Sequence, residues 1–239
     1  MIALISSVTE EGKLIIGRLK DKSVLGERPF HRGSIHDKEV VYIISGIGKT
    51  NAAHAATVLL EKFSPDLVIL FGVGGAYPST GLNVGDITVA EKEVYGDEGV
   101  SNGDGFHGMD VIGIPVLKKS GKKYFNEFPL DKKLARKTVE VSELVTRHSS
   151  LVTICGTFVT VSTCTGTKKR ANELKGRFNA VCENMEGASV AHICALYGIP
   201  MLEIRGISNI VEDRDKGKWD IKLVANNCQK VVLELLKNL

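Results

Sequence analysis

Apolar positions along the chain recur with two different periods, and the two alternate. Ile2 to Ser6, Val40 to Ser45, Leu67 to Phe71 and Met201 to Ile207 are short, nearly continuous apolar runs. Their length and β-branched content predict strands buried on both faces. Ile87 to Val94 predicts a longer strand, and Leu151 to Val161 is β-rich. Between these runs the spacing changes to three and four residues. Ala52, Ala55, Ala56, Leu59, Leu60 and Phe63 fall on one helical face, which Ser64-Pro65 ends. Leu134, Thr138, Val141 and Val145 mark a second helix, and Glu186 to Tyr197 a third that stops at Gly198. Val224, Cys228, Val231, Val232, Leu235, Leu236 and Leu239 mark the last. Thr9 is a candidate N-cap for a short helix carrying Glu10 and Glu11. Ser101 to Gly113, rich in glycine and polar residues, is expected as a loop.

Strands alternating with helices imply a three-layer α/β/α fold with a mixed, mostly parallel central sheet. No linker, repeat or low-complexity tract divides the 239 residues, so residues 1–239 are expected to form one domain. In such folds ligands bind beyond the carboxyl ends of the strands. The polar motifs follow Ser6, Ser45, Phe71, Val161 and Ile207, all at such ends.

Composition narrows the function classes. A net charge of +3 and the absence of a lysine and arginine run interleaved with aromatics argue against nucleic acid; the nearest basic cluster, Lys168-Lys169-Arg170, is short. The cluster reads as a solvated helix start. No apolar run approaches the ~18 residues that would span a membrane, and Met1 to Ile5 reads as a strand, not a signal peptide. The five cysteines are odd in number and lack C-x-x-C spacing, so neither a metal site nor a cofactor is expected. A reducing, cytoplasmic compartment follows. Two glycine loops fail the nucleotide tests. Gly48-Lys49-Thr50 resembles the end of a P-loop, but Ile43 stands where that motif needs glycine. Gly72-Val73-Gly74-Gly75-Ala76-Tyr77 lacks the third glycine of a dinucleotide fingerprint. Its glycines either make tight turns or let backbone N–H groups approach a small ligand.

Three segments carry carboxylates and amides suited to glycosidic cleavage, which needs an activated water on one face of the sugar and help for the leaving group on the other. They are Glu10-Glu11, Asn184-Met185-Glu186-Gly187 and Ser208-Asn209. Taken singly, Glu10 and Glu11 read first as acids complementing a helix N-terminus, Glu186 can be read in the same way, and Asn209 as a satisfied loop amide.

Together with Ser45-Gly46-Ile47-Gly48-Lys49-Thr50-Asn51, Gly72 to Ala76, Asn83-Val84-Gly85-Asp86 and Arg205-Gly206-Ile207-Ser208-Asn209, these segments resemble the nucleoside phosphorylase and nucleosidase superfamily over nearly the whole chain. The resemblance implies a purine nucleoside as substrate and assigns roles. Glu186 would grip the ribose hydroxyls, with Asn184, Met185 and Gly74 also at the substrate. Glu11 would position and activate water. Asn209 would face the leaving purine. Phosphorylases of the superfamily carry a Gly-Asp-Pro-x-Arg phosphate loop near the N-terminus. Ser6 to Glu11 replaces it here without an arginine, so water is the expected nucleophile.

In methylthioadenosine and adenosylhomocysteine nucleosidases of the superfamily, the leaving-group position is an aspartate. Asn209 both donates and accepts, which suits a 6-oxopurine. Arg205 to Asp215, running on to Trp219-Asp220-Ile221, and Tyr95 to Gly99 look most like the futalosine hydrolases, which release hypoxanthine in menaquinone biosynthesis. The acidic arm of such a substrate would meet Thr163, Thr165, Thr167 and Lys168. The family's aromatic base-stacking position falls near Cys164. The alternatives left open are a nucleosidase for methylthioadenosine or aminodeoxyfutalosine, and a non-catalytic nucleoside-binding protein. Relatives form homodimers or larger assemblies, and Ser101 to Gly113 is where a neighbour would contribute.

Overall fold

The computed structural model describes residues 1–147, 149–213 and 220–239. The chain opens with β1 (Ile2–Ser6), α1 (Thr9–Ile16), β2 (Asp21–Leu25), β3 (Arg28–Ile35), β4 (Lys38–Ile44), α2 (Lys49–Phe63) and β5 (Leu67–Ala76). It continues with β6 (Ile87–Tyr95), β7 (Val100–Asn102), β8 (Gly105–His107), a 3-10 turn at Met109–Ile112, β9 (Leu117–Lys119), β10 (Lys122–Tyr124) and β11 (Glu127–Pro129). The remainder is α3 (Lys132–Thr146), β12 (Thr153–Thr160), α4 (Lys168–Phe178), β13 (Ala180–Asn184), α5 (Gly187–Tyr197), β14 (Met201–Ile210) and α6 (Ile221–Asn238).

The alternating side chains of β1 show how the layers form. Ile2 and Leu4 point into one core with Ile15 of α1, Val141 of α3 and Val231, Val232, Leu235 and Leu236 of α6. Ala3 and Ile5 point into the other, with the alanine and leucine face of α2 and Ala188, Val190 and Ala191 of α5. The single-domain α/β/α sandwich is therefore built as the periodicity implies.

The sheet is more evenly mixed than that alternation suggests. β1 pairs in parallel with β4 and β5, and β5 with β14. β13 against β5 and β14 against β6 run antiparallel. Because β14 bonds to both β5 and β6, the strands β5, β13, β12, β6 and β14 close into a ring. The register of β14 on β5 slips between Ile207 and Asn209. This bulge at Ser208 re-aims the side chains that follow it.

Three local expectations are corrected, and one hairpin comes without a sequence signal. The Ser101 to Gly113 stretch contains the β7–β8 hairpin and the 3-10 turn. Gly-rich sequence hid short strands held by only three register pairs. The sequence pattern does not announce the β2–β3 hairpin, because β2 is exposed along most of its length and β3 buries only Phe30, His31 and Ile35, without strict alternation. Val8, not Thr9, occupies the N-cap position of α1, with extended φ −134 and ψ 160. The Glu11 carboxylate takes over the capping instead, accepting from Ser7 N at 2.9 Å and Val8 N at 3.2 Å. Finally, Gly72 to Gly75 make no turn: β5 runs straight through them to Ala76. Arg214, Asp215 and Trp219, part of the segment resembling futalosine hydrolases, lie outside the described residues.

Candidate active site

A cavity of about 460 Å³ opens at the carboxyl ends of β1, β5 and β14, beside the start of α5. Its size suits a small organic ligand. Glu11, Gly74, Asn184, Met185, Glu186 and Asn209 all line it, together with Cys164 and Thr165. Residues up to 198 positions apart in sequence thus share one wall. Thr163 falls in an adjoining cleft of about 340 Å³, with Asp97, Thr167 and Arg170. The two spaces meet at Cys164 and Thr165. Cys164 is exposed, and its Sγ lies 3.2 Å from Met185 Sδ.

The centre of the site is a guanidinium. Arg205, only 1% exposed, donates from Nε to Glu203 Oε1 at 2.8 Å and from Nη2 to Glu186 Oε2 at 3.2 Å. Its Nη1 donates to the Val73 carbonyl at 3.1 Å. Burial alone would depress its pKa, but the Glu203, Glu186 and Glu11 carboxylates overcome burial and hold it above the usual arginine value. The other oxygen of Glu186 accepts from Gly48 N at 3.0 Å. Gly48 has φ +96, which L side chains rarely adopt, so glycine lets this N–H face the carboxylate.

Glu11 is buried and accepts three backbone hydrogen bonds, the third from Val73 N at 2.8 Å. Burial raises its pKa, opposed by Arg205 and the Val73 bond and assisted by the Glu186 charge. The glycine at 72 is explained here: a Cβ on it would stand 2.4 Å from Glu11 Oε1. The glycines of β5 make room for site side chains.

Asn184 organises the turn into α5. Its Oδ1 accepts from Glu186 N at 2.9 Å and Gly187 N at 2.7 Å. Its Nδ2 donates to Glu93 Oε1 at 2.6 Å. Glu93 in turn touches Glu203, and both are fully buried. Two carboxyls in contact need one proton between them. No other group supplies a hydrogen to Glu203 Oε2, and Glu203 Oε1 already faces Arg205, so the proton sits on Glu93. Burial first, and the Glu203 charge second, push the Glu93 pKa well above the ordinary value.

Asn209 lies just past the bulge. Its Oδ1 accepts from Ser208 Oγ at 2.9 Å and its Nδ2 donates to the Ile210 carbonyl at 3.2 Å. Glu183 lines the cavity nearby, 8% exposed, holding Thr165 and Tyr77. Burial raises its pKa against the lowering effect of those hydrogen bonds. Lys49, the P-loop-like lysine, is committed to Asp97 at 2.5 Å and Glu98 at 3.1 Å. Among the described residues, no group of three or more His, Cys, Asp or Glu side chains is arranged to hold a metal ion.

Arg205, Glu203, Glu93 and Glu183 have no role assigned by the sequence motifs. A signal for them existed. Glu203 and Arg205 interrupt an apolar strand, and charges in a buried strand demand partners.

The site has the form of a glycosidic-bond enzyme, and comparison with known proteins agrees. The Phosphorylase superfamily description matches residues 2–239, and the chain belongs to that superfamily. A 5'-methylthioadenosine/S-adenosylhomocysteine nucleosidase of Oceanobacillus iheyensis is 30% identical, covering 100% of this chain and 99% of its own. A futalosine hydrolase of Thermus thermophilus is 35% identical over 82% of this chain and 80% of its own. The 5'-methylthioadenosine/S-adenosylhomocysteine nucleosidase of Neisseria meningitidis, solved with methylthio-immucillin-A, superposes with a TM-score of 0.83 at 24% identity. It covers 100% of this chain and 99% of that one, and at this identity speaks for the fold alone. The chain is an N-glycosyl hydrolase.

The shared proton has a measurable consequence. Glu93 retains its proton in the fold above 4.5, where an unfolded glutamate releases it. The folded state therefore binds more protons, so this contribution to stability is full below 4.5 and falls as pH rises towards the folded-state pKa. Glu93→Gln carries a permanent N–H in place of that proton. Denaturation midpoints across a pH series should show a shallower alkaline loss for Glu93→Gln than for the parent. Identical slopes would remove the shared proton.

Proposed function

We propose that this chain hydrolyses the N-ribosidic bond of a 6-oxopurine nucleoside, futalosine being the substrate class that fits best, and releases hypoxanthine. Glu11 holds and deprotonates the attacking water. Its raised pKa brings a carboxylate closer to neutrality, where a general base works best. Glu186, steadied by Arg205 and Gly48, grips the ribose hydroxyls and stabilises the positive charge that develops on the sugar. Met185 packs on the sugar, and Asn184 fixes the backbone that presents both.

The observation that carries the base preference is the Asn209 amide at the cavity wall. Oδ1 keeps one acceptor position beyond its bond to Ser208, and Nδ2 keeps one hydrogen beyond its bond to Ile210. A 6-oxopurine offers the matching carbonyl and ring N–H. An amide supplies no proton, so a base that leaves only after protonation gains less from it.

A second reading is a 5'-methylthioadenosine or S-adenosylhomocysteine nucleosidase, or one acting on aminodeoxyfutalosine. Apolar Val8, Ile47 and Ile221 at the cavity suit an alkylthio substituent. The relatives weigh towards this reading more than towards the first, since those nucleosidases match over the full chain. Incubation with futalosine-type, inosine-type and methylthioadenosine-type nucleosides, with and without phosphate, separates the two. The first reading predicts hypoxanthine release that is indifferent to phosphate. It further predicts that Asn209→Asp shifts the ratio of kcat/KM values towards 6-aminopurines by roughly tenfold or more. An unchanged ratio defeats the assignment of that amide.

Glu11→Gln should lower kcat by about 10²–10⁴. Its amide must turn an NH2 group against at least one of the Ser7, Val8 and Val73 N–H donors, costing about 1–3 kcal/mol of stability without unfolding the chain. A folded Glu11→Gln protein with near-parental kcat excludes Glu11 as the base.

We also infer a homodimer or larger assembly. Val111, Ile112 and Ile114 are 60%, 43% and 68% exposed beside the β7–β8 hairpin, and an apolar cluster of this kind favours burial against a neighbour. Sedimentation should find the parent above monomer mass and Ile114→Asp shifted towards it.

A further inference from the structure

Followed from bond to bond, the buried polar side chains behind Glu186 close on themselves. The Glu186 carboxylate accepts from Arg205 Nη2 at 3.2 Å, and Arg205 Nε donates to Glu203 Oε1 at 2.8 Å. Glu203 meets Glu93 beside Gly187, where a Cβ would stand 2.4 Å from Glu203 Oε2 and 2.0 Å from Glu93 Oε1. Glu93 Oε1 accepts from Asn184 Nδ2 at 2.6 Å. Asn184 Oδ1 accepts from the Glu186 N–H at 2.9 Å, which returns the path to the residue it left. Side chains from β6, β13 and β14 thus hold Glu186 at both its carboxylate and its main chain. None of the five residues in this ring is more than 5% exposed.

One link differs in kind from the rest. Arg205, the Asn184 amide and the Glu186 N–H each bring hydrogens of their own. Glu93 and Glu203 are both carboxyls, and their contact attracts only while Glu93 keeps its proton. Resting on the proposed ribose role of Glu186, we propose that Glu93 is a positioning residue for hydrolysis: its neutral carboxyl closes the ring that holds Glu186, and loss of its proton in alkali opens the ring and slows the reaction. Two carboxylates would then face each other in a dry interior, where like charges repel most strongly. Glu203 would relax by drawing away from Arg205, the partner that steadies Glu186. The elements packed on Glu93 bring few other titrating groups. Glu203 comes from β14, with Arg205 behind it, and Cys182 from β13. Tyr95 lies on the same strand, and His192 of α5 rests against Tyr95 and Phe128. Burial raises the Cys182 thiol and the Tyr95 phenol and lowers His192, so all three stay neutral as pH first rises above neutrality. Thr160 of β12 and Phe128 of β11 add no charge.

Glu93→Gln keeps the ring closed at every pH. Its amide nitrogen donates to Glu203 and its oxygen accepts from Asn184, while Thr160 Oγ1 turns its one hydrogen to Asn184 Oδ1, 3.0 Å away. Glu93→Ala opens the ring. The measurement is kcat/KM, which reports the free enzyme, on whichever of futalosine, inosine and 5'-methylthioadenosine the parent cleaves fastest. It is taken from acid to alkali wherever circular dichroism shows each protein folded. At the parent's pH of highest activity, Glu93→Ala should lose about 10–100-fold, the cost of a misplaced acting group. Glu93→Gln should stay within about threefold of the parent. Burial and Glu203 raise the Glu93 pKa, so activity is full below that value and lost as pH rises through it. The parent should therefore decline in alkali where Glu93→Gln holds. Ionisation of the nucleoside acts on both proteins alike and cancels. Should Glu93→Ala fail to fold, the two pH profiles decide alone. Superimposable alkaline profiles of parent and Glu93→Gln overturn the proposal, as does parental kcat/KM in Glu93→Ala. Equal losses in both variants at every pH reduce Glu93 to packing and overturn it as well. Glu186→Gln tests the reading beneath. If it is fully active, both fall, whereas an inactive Glu186→Gln beside parental Glu93 variants overturns the ring alone.

Discussion

A guanidinium cannot be buried alone. Arg205 is removed from water on every side, and leaving it unpaired would cost more than a domain of this size has to spend. The fold meets this constraint with carboxylates from three different elements. Glu203 comes from β14 itself, Glu186 from the turn into α5, and Glu11, which lies close enough to act on Arg205 electrostatically, from α1. Those carboxylates are in turn buried, so each needs hydrogens of its own. Glu11 takes them from Ser7, Val8 and Val73, and Glu186 from Gly48. Satisfying one cation thereby fixes the ends of β1, β5 and β14 and the glycine loop before α2. The same bonds that satisfy Arg205 orient the two carboxylates proposed to act on substrate. Burial of such a pair stabilises little in net terms, but breaking it by removing one partner typically costs about 3–5 kcal/mol.

The strand ring explains why these groups converge. A flat parallel sheet would line up the ends of its strands along one edge. Closing β5, β13, β12, β6 and β14 on one another instead brings β13 and β14 to opposite flanks of β5. The close approach demands small residues. A Cβ on Gly74 would lie 2.6 Å from Cys182 Sγ, and one on Gly187 would lie 2.0 Å from Glu93 Oε1. Glycine at these positions is a packing requirement set by neighbouring side chains. That is why neither nucleotide-binding motif fits: the glycines leave space for carboxylates, and a phosphate would find those carboxylates already there.

Much of the layer architecture was legible in the sequence, because β1, β5, α2 and α6 each bury a full face and their periodicity records it. The candidate residues Glu11, Asn184, Met185, Glu186 and Asn209 were legible as motifs, and they share one cavity. What escaped was of two kinds. β2 and the β7–β8 hairpin are exposed or half-buried and β3 buries only three side chains, so no apolar alternation announces these hairpins. The Glu93–Glu203 contact and the pairing of both Glu183 and Asn209 with Gly75 depend on strand register, and register is a property of pairs that no single segment carries. The bulge at Ser208 illustrates the limit. One extra residue reverses the facing of Asn209, and nothing local in Ile207-Ser208-Asn209 indicates it.

Charge accounts for the choice between water and phosphate as nucleophile. Among the described residues lining the cavity, Arg205 is the single cation, and it is already engaged by Glu203 and Glu186. Glu10, Glu11, Glu183 and Glu186 line the same space. A phosphate dianion brought there would meet several carboxylates and no uncommitted positive side chain. Its desolvation would go uncompensated in a site of low dielectric, where like charges repel most strongly. A water molecule carries no charge to repel. It needs only an acceptor for its proton, and Glu11 keeps a lone pair on Oε1 beyond the bond from Val73. Two of the carboxylates that neutralise Arg205, Glu11 and Glu186, are therefore among the groups that oppose the anion, so the requirement that shapes the fold also favours water.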